Sequence, residues 1–145
     1  MLLLFDTNTF TDYKHQFTKA DYAHLVMSMV VWYELTATTI DNSDWQYYEA
    51  LRLRAAKEER LLAPTMNDWR ETAKLVARLR WQDKREGHGK TPSLPDATKL
   101  QNDALIARAA FLHGCCVVTS NLKDFARIQT LLDFAFLDAA VYFAL

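Results

Sequence analysis

Five oxygen-bearing side chains carry the chemical interest of this chain: Asp6, Glu34, Asp103, Asn121 and Asp124. They come from four separate segments. Asp6 ends a short apolar run, Glu34 and Asp103 sit on mostly apolar helix faces, and Asn121 and Asp124 follow directly on a β-rich run. Each has a plainer reading alone, Asp6 as a turn or helix-capping aspartate and Glu34 as an exposed or lysine-paired glutamate. Together they are self-repulsive, and each carboxylate would raise the pKa of the others. A hard divalent cation relieves that repulsion. Mg²⁺, with Mn²⁺ as a substitute, takes carboxylate oxygen while keeping several waters, commonly beside a substrate phosphate. The chemistry that needs such a cluster is phosphodiester hydrolysis, in which metal ions lower the pKa of the attacking water and neutralise charge on the phosphoryl group. No Ser/His/Asp or Cys/His arrangement competes, and His15, His24, His88 and His113 have no motif around them.

The elements that must hold these residues are legible in outline. Leu2–Phe5 reads as a buried parallel strand delivering Asp6 at its carboxyl end, with Thr7 to Thr9 as caps for a helix starting near Phe10. His24–Met27 is a second strand, and Ser28 caps a helix over Met29–Thr38 that carries Glu34. Trp45–Arg60 is a helix with Trp45, Tyr48, Leu51 and Ala55 inward. Leu61–Thr65 is a strand, and Asn67–Lys84 an amphipathic helix carrying Trp69, Ala73, Val76, Leu79 and Arg80. Lys84–Pro95 reads as a loop, preceded by a basic stretch (Arg78, Arg80, Lys84, Arg85, Lys90) that could form a rim beside the acids. Asp96 is the expected cap of the next helix. There Asp103 shares a stripe with Leu100, Ala107 and Ala110, and Ala104–Leu112 is apolar or small but for Arg108, so it should be buried on most sides. Gly114 stops this helix before the strand Cys115–Ser120. Phe125–Gln129 is a short helix and Asp133–Leu137 a last strand. The order implies an α/β/α sandwich around a mainly parallel sheet of about five strands, with ligands at the carboxyl ends of the strands.

Composition bounds the rest. The chain has 145 residues, half of them hydrophobic and 24% charged, which fits one globular domain over 1–145. No apolar run approaches the roughly 20 residues of a membrane span, and the start carries no export signal, so a cytoplasmic, non-membrane protein is expected. Cys115 and Cys116 are adjacent on an interior strand and read as reduced core residues, with no second pair for zinc. The formal net charge of −1 excludes the whole chain as a nucleic-acid magnet, leaving any such binding to local patches.

Four blocks resemble those of a known family. Asp6-Thr7-Asn8 after an apolar strand, Ser28 followed by Glu34-Leu35, Asn102-Asp103-Ala104-Leu105-Ile106-Ala107, and Thr119-Ser120-Asn121-Leu122-Lys123-Asp124-Phe125 are similar, in order, to the signature blocks of PIN domains. More narrowly they resemble VapC-type toxins of toxin–antitoxin pairs. The resemblance implies a PIN-like fold and a Mg²⁺-dependent ribonuclease, usually a homodimer, held inactive by a cognate antitoxin. It also implies catalytic roles for Asp6, Glu34, Asp103, Asn121 and Asp124, with Asp6, Glu34, Asp103 and Asp124 serving the metal. Whether Asn121 or Asp124 faces the ion stays open. An antitoxin segment would place a basic side chain among the acids and fill a groove beside Glu34, with Tyr47, Tyr48 and Leu51 as contacts, although Leu51 fits core packing better. Three alternatives stand beside this one: a housekeeping RNA-processing PIN nuclease, a haloacid-dehalogenase-type phosphatase, and a non-catalytic PIN-like binding module. The phosphatase would want an acid where Asn8 stands.

Overall fold

Strand β1 (Leu3–Phe5) is apolar at every position and buried throughout, so it needs cover on both faces and a partner on both edges. Its neighbours are β2 (Leu25–Ser28) and β4 (Cys116–Thr119), with β3 (Leu61–Leu62) and β5 (Ala135–Asp138) outside them, in the order β3-β2-β1-β4-β5. Every pairing is parallel. The structure is a computed structural model that describes residues 1–86 and 94–144, residues 94–96 by their backbone alone. The chain leaves β1 toward β2 and β3 and later returns to β4 and β5 on the other side. The strand order therefore reverses between β1 and β4, where a crevice opens at the carboxyl ends.

The helices are α1 (Thr7–Tyr13), α2 (Lys19–His24), α3 (Met29–Ala37), α4 (Asn42–Lys57), α5 (Met66–Arg85), α6 (Leu94–His113), α7 (Leu122–Gln129) and α8 (Ala139–Ala144), with a 3₁₀ turn at Lys14–Gln16. Both α2 and α8 lie outside the sequence expectations. Helix α2 is set by a capping box in which Thr18 and Asp21 satisfy each other's backbone N–H, at 2.7 and 3.3 Å. The Tyr142 hydroxyl of α8 donates to Asp21 at 2.6 Å, and the Phe143 ring stacks on Tyr13 and Phe17, at 4.8 and 5.6 Å. This aromatic layer seals one face of β1 through Phe5.

Boundaries move in informative ways. Helix α1 starts at Thr7, so its cap is Asp6 itself rather than Thr7–Thr9, whereas Ser28 caps α3 as expected, accepting from the Val30 N–H at 3.1 Å. His24 ends α2 and β2 starts one residue later. Trp45 is exposed, because the buried stripe of α4 runs through Tyr48, Leu51 and Ala55 and Trp45 sits in its free first turn. In α5 the inward positions are Thr72, Val76 and Leu79, so Trp69 and Ala73 face outward. Lys84 and Arg85 belong to this helix, Leu94 and Pro95 to the next, and residues 87–93 of the expected loop lie outside the described residues. Helix α6 begins at Leu94, two residues before the expected cap Asp96, whose side chain lies outside the described residues. It is buried over Asp103–Ala107 and at Ala110, but Phe111 and Leu112 are exposed. Gly114 ends it at φ +65°, a conformation that costs a side chain strain. Cys115 and Cys116 are free and buried. The last strand comes two residues late, at Ala135, after a turn at Thr130 and Leu131.

Candidate active site

Asp6 and Thr119 leave the sheet side by side, because β1 and β4 pair Phe5 with Val118 and the Asp6 N–H donates to the Val118 carbonyl at 3.0 Å. That register puts the Thr119 hydroxyl 2.7 Å from Asp6 Oδ2. Asp6 Oδ1 accepts from the Thr7 N–H at 2.8 Å, and Asn8 Nδ2 reaches Oδ2 at 3.3 Å. One aspartate thus caps α1 and faces the crevice. Asn8 Oδ1 in turn accepts from the Ser120 N–H at 3.1 Å, tying the loop after β1 to the one after β4.

Glu34 comes from the middle of α3 and Asp103 from α6, so two helices flanking the sheet aim their acids at the same crevice. The Thr7 hydroxyl donates to Glu34 Oε1 at 3.0 Å, and the Asn102 side chain also hydrogen-bonds it. Asp103 is 7% exposed. Asn121 Nδ2 bridges Asp103 Oδ2 at 2.9 Å and Asp124 Oδ2 at 3.0 Å, which joins both fourth-block residues to the third. Asp124 stands in the first turn of α7, where a carboxylate suits the helix dipole. All five predicted residues therefore belong to one connected patch. The cleft itself has a volume of ≈ 510 Å³ and is lined by Asp6, Glu34, Asp103 and Asn121. Asp124 stands behind Asn121.

The electrostatics follow from burial and crowding. Desolvation, reinforced by Asp6, Asp124 and Glu34, pushes the Asp103 carboxyl up to about 8, against a smaller opposing pull from Lys99. Burial also raises Asp6, in spite of its hydrogen bonds from Thr119, Thr7 and Asn8. Glu34 is raised by burial first and by Asp6 as well, with Thr7 and Asn102 opposing. A site that raises three carboxyls, and leaves that of Asp103 protonated near neutral pH, is a site short of positive charge.

Oxygen-only donors of this kind fit a hard divalent ion in type. Among the described residues no three His, Cys, Asp or Glu side chains stand close enough to enclose an ion by themselves.

Sequence reasoning missed the residues that steer the acids. Thr7, Asn102 and Thr119 each neighbour a predicted block residue or lie within a block, so proximity along the chain was the available signal. Lys99, one helical turn before Asp103, also lines the cleft and gave none. Of the expected basic rim, Arg78 lines a separate groove with Leu75, Trp81, Leu131 and Leu132, and Lys90 lies outside the described residues. Tyr48 and Leu51 are buried, and Tyr48 packs edge-on against Phe10, so neither borders an open groove beside Glu34. The Tyr47 hydroxyl, for its part, is taken up by Tyr22 at 2.7 Å.

The same architecture occurs in solved structures. The fold matches FitAcB from Neisseria gonorrhoeae with a TM-score of 0.55 and 18% identity, over 96% of this chain and 99% of that one. It matches VapBC from Salmonella typhimurium, solved bound to DNA, at 0.53 and 23% over 96% and 99%. VapBC2 from Rickettsia felis, bound to a DNA fragment from its promoter, matches at 0.52 and 18% over 95% and 98%. No curated protein matches the chain. A family model for the PIN domain covers residues 2–131, which takes in the whole cleft and all five strands but the last, and the chain belongs to the PIN domain family.

Proposed function

We propose that this chain is a Mg²⁺-dependent endoribonuclease of the VapC-like toxin kind, which also accepts Mn²⁺ and is restrained by a cognate antitoxin. The observation that carries the reading is the convergence of Asp6, Glu34 and Asp103, from three elements, on one cleft where burial raises all three carboxyls and Asp6 raises the other two further by repulsion. When bound, the divalent ion supplies Lewis acidity toward a phosphodiester and lowers the pKa of a water. Asp6 and Asp103 would hold it, with Glu34 next and either Asp124 or the Asn121 carbonyl behind them. Thr119, Thr7 and Asn8 fix Asp6 by occupying some of its lone pairs, leaving the others to face the cleft. Thr7 and Asn102 do the same for Glu34, and Asn121 holds Asp103 and Asp124 in register.

Membership of the PIN domain family supports this reading over a phosphatase. A phosphatase of the haloacid-dehalogenase type wants an acid at Asn8, which instead donates an amide to Asp6. A non-catalytic module would carry the cost of crowded buried acids with no return in function. The reading extends to a homodimer, as the VapC resemblance implies, and to the cytoplasm; no helix among the described residues is long and apolar enough to cross a membrane. The test is expression in bacterial cells followed by growth and total-RNA integrity. The chain alone should stop growth and fragment RNA, Asp6→Ala should do neither, and the small protein encoded beside it should restore growth through a stable complex. Harmless expression of an active enzyme would move the assignment to a housekeeping RNA-processing nuclease. Harmless expression without RNA cleavage would overturn both.

A further inference from the structure

Among the described residues, Lys99 is the one basic side chain lining the acidic cleft, alongside Asp6, Asp12, Glu34 and Asp103. It precedes Asp103 by four residues on α6, which puts both on one helical face. Its ammonium stands 3.9 Å from Asp124 Oδ2, and its charge is felt by both Asp6 and Asp103, favouring their ionised forms. Yet the side chain is 71% exposed, so it is neither packed nor locked into that ion pair. An exposed pair at such a distance adds little to stability, and a long stem with a point charge at its end is free to swing.

A swinging cation in an otherwise acidic cleft has two consequences of opposite sign. It repels an incoming divalent ion, because both seek the same carboxylates. It also attracts the RNA backbone, which the acids lining the same cleft would otherwise push away. We infer that Lys99 is a resident counter-ion of these acids that yields to the metal and then holds a backbone phosphate of the RNA, acting as a positioning residue. This rests on the nuclease reading above and adds a specific role for a residue outside the four blocks.

The test separates the two effects with Lys99→Met, which keeps the stem and removes the charge, and Lys99→Arg, which keeps the charge. Mn²⁺ binding is read by calorimetry without RNA. Binding of a single-stranded RNA oligonucleotide with hydrolysis-resistant phosphorothioate linkages is read by fluorescence anisotropy at saturating Mn²⁺ across a salt series. Lys99→Met should bind Mn²⁺ about three- to tenfold more tightly, the size of one exposed charge removed several ångströms away at water-like screening. It should bind RNA more weakly, with the slope of log K against log salt reduced by about 0.7, one phosphate contact on a single strand. Lys99→Arg should restore the parent's values in both assays. Unchanged metal affinity and salt slope in Lys99→Met, with a parent that binds both ligands, would overturn the role of Lys99 alone. A parent that binds neither Mn²⁺ nor RNA would overturn the nuclease reading and this inference with it.

Discussion

Replacing Asp103 with Asn keeps the shape of the side chain and removes its charge, so it isolates the electrostatic cost of the metal-free cleft. The native carboxyl is pushed up to about 8 by burial, then by Asp6, Asp124 and Glu34, from an ordinary value of 3.8. Between those values the folded protein keeps a proton that the unfolded chain has released, so native stability falls as pH rises from about 4 to about 8. At pH 7 the unfolded carboxyl lies roughly three pH units past its midpoint, which at 1.36 kcal/mol per unit amounts to about 4 kcal/mol lost to the parent. Sharing the proton with the neighbouring acids brings the part removable at one residue to roughly 1–3 kcal/mol. The carbonyl oxygen of the new amide can still accept from the Asn121 Nδ2 that now sits 2.9 Å from Asp103 Oδ2, so the hydrogen bond survives the change. In EDTA the variant should melt above the parent at pH 7–8 by roughly 3–10 °C, and the two curves should converge near pH 4–5. Circular-dichroism melts at half-unit pH steps measure this directly. A variant that melts well below the parent at every pH would refute the reasoning and make Asp103 a structural hydrogen-bonding residue.

Three further outcomes follow from named contacts. Thr119→Val removes the 2.7 Å donor to Asp6 and should cost about 1–3 kcal/mol in urea denaturation, because Asp6 then stays buried with one partner fewer; an unchanged midpoint would mean that the cleft rearranges freely. A Cβ at Gly114 would meet nothing within 4 Å, so Gly114→Ala is penalised only through its φ of +65°, and denaturation should report a loss of about 1 kcal/mol. Metal should stabilise the parent more than Asp103→Asn, so adding Mn²⁺ ought to narrow or reverse their order in the same melts, and an equal metal response in both proteins would contradict that.

Much of the site was readable because its acids lie in apolar surroundings that periodicity exposes. Asp103 shares a stripe with Leu100, Ala107 and Ala110, and the structure buries all four. The parallel sheet was readable for the same reason, since β1 and β4 are short apolar runs with polar residues immediately after them. Asp6 showed that capping and facing the cleft are not alternatives: one oxygen caps Thr7 and the other is held by Thr119. What stayed hidden depends on contacts between distant segments. The bond from Tyr142 to Asp21 joins residues 121 apart and leaves no local pattern, so α2 and α8 were missed together. The orientation of Trp45 failed because helical spacing gives a stripe but not its edges, and a first turn can lie beyond the core that the next turns cover. Lys99 carried no signal because an exposed lysine one turn from an acid is an ordinary sight on a helix surface.

Cleavage of an end-labelled single-stranded RNA by the purified chain tests the central claim most directly, run in Mg²⁺, in EDTA, and in EDTA overcome by excess Mn²⁺, for the parent and Asp103→Asn. Cleavage should require the ion, stop on chelation and resume with Mn²⁺, and Asp103→Asn should be slower by about two to three powers of ten. Cleavage that continues in EDTA, or an Asp103→Asn protein that cuts at the parent's rate, would contradict the account.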